Sequence, residues 1–156
     1  PGDTWLQHTY LGYNYRLNEF NAALGTVQIS RIEELLRNRE QVADWYEQHL
    51  KGIQGVTRPR IQPETTRMSW FVFIIWLEDE KTRDRVAHEL ETRNIPVRPY
   101  FTPIHLQPYM VERFGYRKGD FPVTESLGER GLALPFSGKM TEEMVAEVCR
   151  QLRAVL

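Results

Sequence analysis

The chain has 156 residues, enough for one ordinary domain with a real core, and its 41% hydrophobic and 26% charged content is that of a globular protein. A net charge of −1 argues against broad binding to nucleic acid or to a membrane surface, and the longest apolar run, Trp70 to Leu77, is far too short to span a bilayer. The single cysteine, Cys149, excludes an intrachain disulfide and a cysteine-rich metal site, and reads as buried apolar filler between Val148 and Leu152.

Residues 1 to 16 mix polar residues with Trp5, Tyr10, Tyr13 and Tyr15 and show no sustained periodicity. Trp5 and Tyr10 are costly to expose, so this stretch is expected to lie against another surface. Asn18 is a good N-cap, and a helical pattern runs from it to about His49. Phe20, Leu24 and Val27 form one apolar stripe, and Ile29, Ile32 and Leu36 a second, continued by Leu35, Val42, Ala43, Tyr46 and Leu50. Two stripes imply burial on two sides, as in a helix bridging two bodies. So long a pattern calls for a bend, at Gly25 or at Arg37-Asn38-Arg39, and Lys51-Gly52 makes a stop.

Residues 53 to 67 read as a loop with one short strand. Trp70 to Leu77, apolar on both alternate faces, predicts a strand near the middle of a sheet. Thr82 is the expected cap of a helix carrying Val86, Ala87 and Leu90, which ends at Arg93-Asn94 before Pro96. Ile95 to Tyr100 is extended, and its two prolines confine it to an edge or a strand end. Residues 101 to 120 are loop-rich, with one short helix near Gln107 to Arg113. Asp120 and Pro122 open another helix that stops near Gly131, and Leu132 to Leu134 is a last short strand. Thr141 caps the final helix, with Met144, Val145, Val148, Leu152 and Val155 as its buried face. This order gives an α+β fold: a small antiparallel-type sheet with helices packed on one face, preceded by a long bridging helix.

Three places carry candidate chemistry. Gly12-Tyr13-Asn14-Tyr15-Arg16 leads into the first helix, whose start suits an anion, especially a phosphate. Asn14 offers a neutral amide donor and Arg16 a permanent forked cation, although an Asn here also suits a turn bonded to its own backbone. His105 lies in a proline-bracketed loop just past a strand end, where scaffolded loops carry function; the plainer alternative is a histidine bonded to a nearby carbonyl. Arg98, just before it, is suited to a diphosphate or to solvent. His8, His49, His88 and His105 lack metal-ligand spacing, so no metal is expected, and no Gly-x-Ser-x-Gly or phosphate-loop motif is present.

Gly12 to Arg16 with Ala22-Ala23-Leu24-Gly25 resembles a signature of the DegT/StrS-type sugar aminotransferases. The resemblance continues through Arg39, Ser69 to Phe73, Tyr100 to His105, Phe121-Pro122-Val123-Thr124-Glu125 and Leu132 to Phe136. It implies the small C-terminal domain of a type I pyridoxal-phosphate (PLP) fold. Residues 1–52 would be a segment of the large PLP domain plus an interdomain helix, and residues 53–156 the small domain. It further implies a homodimer with shared active sites, amination of a nucleotide-linked keto sugar, an amino-acid donor such as glutamate, and a cytoplasmic location. Asn14 would reach the cofactor phosphate of the neighbouring subunit, assisted by Arg16, while Tyr100 and His105 would bind substrate with Arg98 alongside. In such proteins the cofactor lysine lies upstream, and none of Lys51, Lys81, Lys118 and Lys139 matches its position. Two rivals stand beside this reading: a non-catalytic regulatory or dimerisation module of the same fold, and an RNA-binding domain. The second is disfavoured because Trp70, Phe71, Phe73 and Trp76 lie on both strand faces.

Overall fold

The computed structural model describes residues 10–156. The expectations for Trp5 and His8 lie outside the described residues. Packing divides the chain into two units, Pro1–Glu33 and Glu34–Leu156.

In the first unit, α1 (Glu19–Ser30) begins where Asn18 accepts the Asn21 amide at 2.9 Å, the cap expected from the sequence. The helix has no buried residue, so the stripe of Phe20, Leu24 and Val27 is exposed throughout. The helical run breaks at Arg31, whose amide reaches back to the Gln28 carbonyl at 3.2 Å, and neither Gly25 nor residues 37–39 supply the break. Two hydroxyls account for its position. Thr26 Oγ1 donates to the Ala22 carbonyl and Ser30 Oγ to the Val27 carbonyl, a back-bonding that bends helices.

From Glu34 on, α2 (Ile32–His49) belongs to the second unit, where it turns Val42, Ala43 and Tyr46 inward. The sheet has three antiparallel strands in the order β1 (Phe73–Trp76), β3 (Gly131–Leu134), β2 (Arg98–Pro99). The Trp70–Leu77 run was expected at the centre of the sheet, but only four of its residues pair, and they form an edge flanked by a single bridge to Thr57. Trp70 takes a positive φ of 40° and folds its ring onto Phe73 at 5.5 Å, while Phe71 faces out. The apolar run therefore supplies the core with aromatic rings without extending the strand. The central strand is β3, buried at all four residues.

Phe73, Ile75, Leu132 and Leu134 share one sheet face, because register pairs Phe73 with Leu134 and Ile75 with Leu132. They belong to the core with Val42, Tyr46 and Leu50, with Val86 and Leu90 of α3 (Glu80–Thr92), and with Val145, Val148 and Leu152 of α6 (Glu142–Val155). Each such fully buried side chain contributes about 1.5–3 kcal/mol. Tyr46 stacks on Phe73 at 4.7 Å and donates its hydroxyl to the Pro135 carbonyl at 2.5 Å, joining α2 to the exit of β3.

Two further details depart from the sequence reading. The cap of α3 is Asp79, whose carboxylate accepts the Thr82 amide at 2.7 Å, so Thr82 lies inside the first turn. On α6, Thr141 caps and Cys149 lies in the core, both as expected, but Met144 is exposed. Burial pushes the Cys149 thiol up to about 12, which suits filler and not a nucleophile. Asn94 holds the left-handed conformation that ends α3 (φ 61°).

Candidate functional site

Asn14 and Arg16 lie in the first unit, with the Arg16 amide donating to the Asn14 carbonyl at 3.1 Å. Asn18, four residues on from Asn14, holds the cap of α1. The side chains of Asn14 and Arg16 are exposed and make no hydrogen bond among the described residues. Tyr13 and Tyr15 stack at 5.3 Å on either side of Asn14 in sequence. An amide and a guanidinium left uncommitted form a donor set suited to a phosphate. The residues present thus fit a phosphate-bearing cofactor on chemistry.

Arg98, Tyr100 and His105 lie in the second unit, Arg98 in β2 and the other two on the excursion of chain between β2 and α5 (Pro122–Arg130). Arg98 is mostly exposed and its Nη1 donates to Glu91 Oε1 and to the Val97 carbonyl, both at 2.7 Å. Tyr100 is half-buried, meets the Phe101 ring edge-on at 4.8 Å, and donates its amide to the Gly131 carbonyl at 3.0 Å. Two glycines allow this loop to press on the α5–β3 junction. A Cβ at Gly128 would stand 2.8 Å from the Phe101 carbonyl oxygen, and one at Gly131 would overlap the Tyr100 carbonyl.

His105 occupies a short 3-10 turn, Ile104–Leu106, and is buried. Its Nε2 meets Glu125 Oε1 at 2.9 Å, and its ring packs against Phe121 at 4.7 Å and Tyr116 at 6.3 Å. Glu125 also accepts the Gly119 amide at 2.9 Å and the Phe121 amide at 3.2 Å. Burial alone would raise the Glu125 pKa, but the Gly119 amide, the His105 ring and the Phe121 amide outweigh it and hold the carboxyl below its ordinary value. The ring is thus committed within the chain, leaving Arg98 and Tyr100 as the outward-facing members of the set. Sequence reasoning assigned no role to Glu125 or Gly128, and read Gly131 only as the place where a helix stops. The only signal was the segment Phe121 to Glu125, an acid one turn into a helix that Pro122 opens.

Behind the loop lies a cleft of about 250 Å³ whose lining includes Glu80, Arg83, Thr102, Pro103, Lys118 and Glu129. Its cations are already paired: Arg83 with Asp84 at 2.6 Å and Glu80 at 3.4 Å, Lys118 with Glu129 at 2.7 Å. It is no ready anion receptor. Among the described residues no group of three His, Cys, Asp or Glu side chains is positioned to hold a metal ion, and no helix is long and apolar enough to cross a membrane.

Comparison with solved structures extends this picture. The chain superposes on DesV of S. venezuelae with a TM-score of 0.84 at 25% identity, covering 98% of this chain and 40% of that one. It also superposes on a DegT DnrJ EryC1 StrS aminotransferase from Brucella abortus, with a TM-score of 0.81 at 27% identity, covering 98% and 39%. The fold is that of a portion of a PLP-dependent aminotransferase. Residues 2–153 match the DegT/DnrJ/EryC1/StrS aminotransferase family, and the chain belongs to it. The GDP-perosamine synthase of Caulobacter vibrioides is 33% identical over 148 residues, which are 94% of this chain and 39% of that protein. The chain thus spans well under half the length of the curated relatives it matches, in their C-terminal part.

Proposed function

We propose that the chain is the C-terminal portion of an aminotransferase that aminates a nucleotide-linked keto sugar, with glutamate as the amino donor. Its product would serve cell-surface polysaccharide or antibiotic sugar biosynthesis in the cytoplasm. The observation that carries the reading is the family match over residues 2–153. PLP, when bound, supplies an electron sink for moving an amino group. Its lysine is assigned to the upstream domain, and this chain contributes binding and orientation. Asn14 and Arg16 anchor the cofactor phosphate of the neighbouring subunit in a homodimer, a role supported by their uncommitted donors. Tyr100 and Arg98 face the substrate, with Arg98 suited to a diphosphate while held by Glu91. His105 serves the same site by holding the loop that carries Tyr100. Residues 1–52 connect to the upstream domain, and residues 53–156 form the small domain, whose core Val42, Tyr46 and Leu50 complete.

The test is complementation in the full-length protein. One variant carries Asn14→Ala and another lacks the upstream lysine. If Asn14 acts across the two-fold, one site of the mixed dimer collects both defects and the other neither. Random reassortment of equal amounts then restores roughly a quarter of wild-type activity. A mixed dimer as inactive as its folded parents rules out the cross-subunit role. A parent protein with no lysine to remove points instead to a regulatory or dimerisation module.

A further inference from the structure

The excursion between Tyr100 and Phe121 is long, and its burial is slight: over residues 101–120 only Pro103 and His105 are buried. Its helix α4 (Pro108–Phe114) has no buried residue. Apart from the rings of His105, Tyr116 and Phe121, little apolar contact fixes these twenty residues against the domain, so polar ties carry much of their placement. One tie is the exposed Lys118–Glu129 pair, of a kind that contributes little. The other is Glu125, on the first turns of α5, with only 7% of its side chain exposed.

That one carboxylate gathers three points of the excursion. His105 comes from twenty residues upstream, Gly119 from six and Phe121 from four. An ionised carboxylate only accepts, so His105 donates from Nε2, and both oxygens of Glu125 are engaged. The bond to Phe121 also satisfies the N-cap amide of α5, a helix whose cap residue makes no side-chain capping bond. The end of the excursion and the start of the helix are therefore fixed by the same group.

We propose that Glu125 is a positioning residue of the site: its carboxylate holds the Tyr100–Phe121 excursion against α5 and so sets where Tyr100 meets the substrate. It acts through His105 and two backbone amides and is itself too buried to touch a ligand. The inference rests on the reading of Tyr100 as substrate-facing.

The experiment uses the full-length holoenzyme as wild type, Glu125→Gln and His105→Gln. Amide exchange gives the first readout. In Glu125→Gln, Gly119, Phe121 and residues 101–106 should exchange roughly ten- to hundredfold faster, with β3 and α6 unchanged. His105→Gln should quicken residues 101–106 alone, and it carries the test if Glu125→Gln does not fold. Unchanged exchange at Gly119 and Phe121, or equal loss of protection in β3 and α6, overturns the proposal.

Function gives the second readout. Conversion of the bound cofactor by L-glutamate, followed by absorbance, should stay within about twofold of wild type, while binding of UDP, GDP or dTDP weakens by about tenfold. A parallel fall in both means general damage and overturns the positioning role. If the wild type binds none of these nucleotides, or Tyr100→Phe binds them as wild type does, the substrate-facing reading falls. The positioning role falls with it, and exchange alone then decides whether Glu125 fastens the excursion.

Discussion

The carbonyl of Tyr100 lies against Gly131 where a side chain would otherwise stand, while the Tyr100 amide donates to the Gly131 carbonyl at 3.0 Å. Gly131 opens the central strand, so the loop bearing the candidate substrate residue is laid directly on the middle of the sheet. Gly131→Ala would add a methyl group that backbone atoms of Tyr100 and Leu127 leave no room for. A destabilisation of about 1–3 kcal/mol is expected, read as a lower urea midpoint at unchanged slope. An unchanged midpoint would show that the loop moves aside freely.

Tyr46 makes the corresponding link on the other side of β3. Fully buried, it stacks on Phe73 and donates to the Pro135 carbonyl, and burial raises its hydroxyl pKa well above the ordinary range. Tyr46→Phe keeps the stack and loses the donor, at an expected cost of about 1–2 kcal/mol. Tyr46→Ala also opens a cavity and should cost about 3–5 kcal/mol. A Tyr46→Phe midpoint equal to that of the wild type in urea denaturation would mean that the hydrogen bond contributes nothing.

Much of this framework was legible in the sequence because capping and helical periodicity are local properties. Asn18 and Thr141 cap as their side chains suggest, and the apolar faces of α3 and α6 are nearly as read. Strand centrality is not local. Eight apolar residues at Trp70–Leu77 outweigh four at Gly131–Leu134 in any sequence pattern, yet it is the shorter run that pairs on both edges. The candidate site divides in the same way. The Tyr100–His105 loop announces itself by its prolines, whereas Glu125 looks like an ordinary first-turn acid until the fold brings His105 and Gly119 to it.

Glu125 also gives a pH dependence of defined sign. Its folded carboxyl lies below the ordinary value of 4.5, so on acidification the unfolded chain takes up this proton first. The stability it contributes is complete above that value and is lost as pH falls through the depressed folded value. The groups that face it are the His105 ring and Lys118, the latter paired with Glu129. Asp79, Glu143 and Glu147 are depressed by their own hydrogen bonds and add to any acid sensitivity, so the wild type alone is not diagnostic. Urea midpoints between about pH 6 and 3 should fall less steeply for Glu125→Gln than for wild type. Parallel curves would show that the carboxylate keeps an ordinary affinity for protons.

The lysines of this chain should not capture PLP at a specific site. Lys118 is bonded to Glu129 at 2.7 Å, which raises its pKa and keeps it a cation, while Lys51, Lys81 and Lys139 are exposed. Incubation of the 156-residue chain with PLP, borohydride reduction and mass mapping should give weak labelling spread over several sites. Stoichiometric labelling at one lysine would overturn the assignment of the cofactor lysine to the upstream domain.

Residues 10–33 should make the isolated chain associate. Tyr10, Leu11, Tyr13, Tyr15, Leu17 and Phe20 are exposed, Phe20 at 90%, and so are Leu24, Val27, Ile29 and Ile32. Scattered apolar residues are ordinary on a protein surface, but an unbroken series of this length marks a surface made for a partner. The core owes nothing to them, since its first member in sequence is Val42. A chain beginning at Glu34 should therefore keep the urea midpoint of the 156-residue chain while losing its self-association in sedimentation and its binding of a hydrophobic dye. A lower midpoint would show that residues 1–33 support the second unit after all. A 156-residue chain that sediments as a monomer and leaves the dye dark would show that the exposed series needs no partner, and would remove the support it lends to an upstream domain and a second subunit.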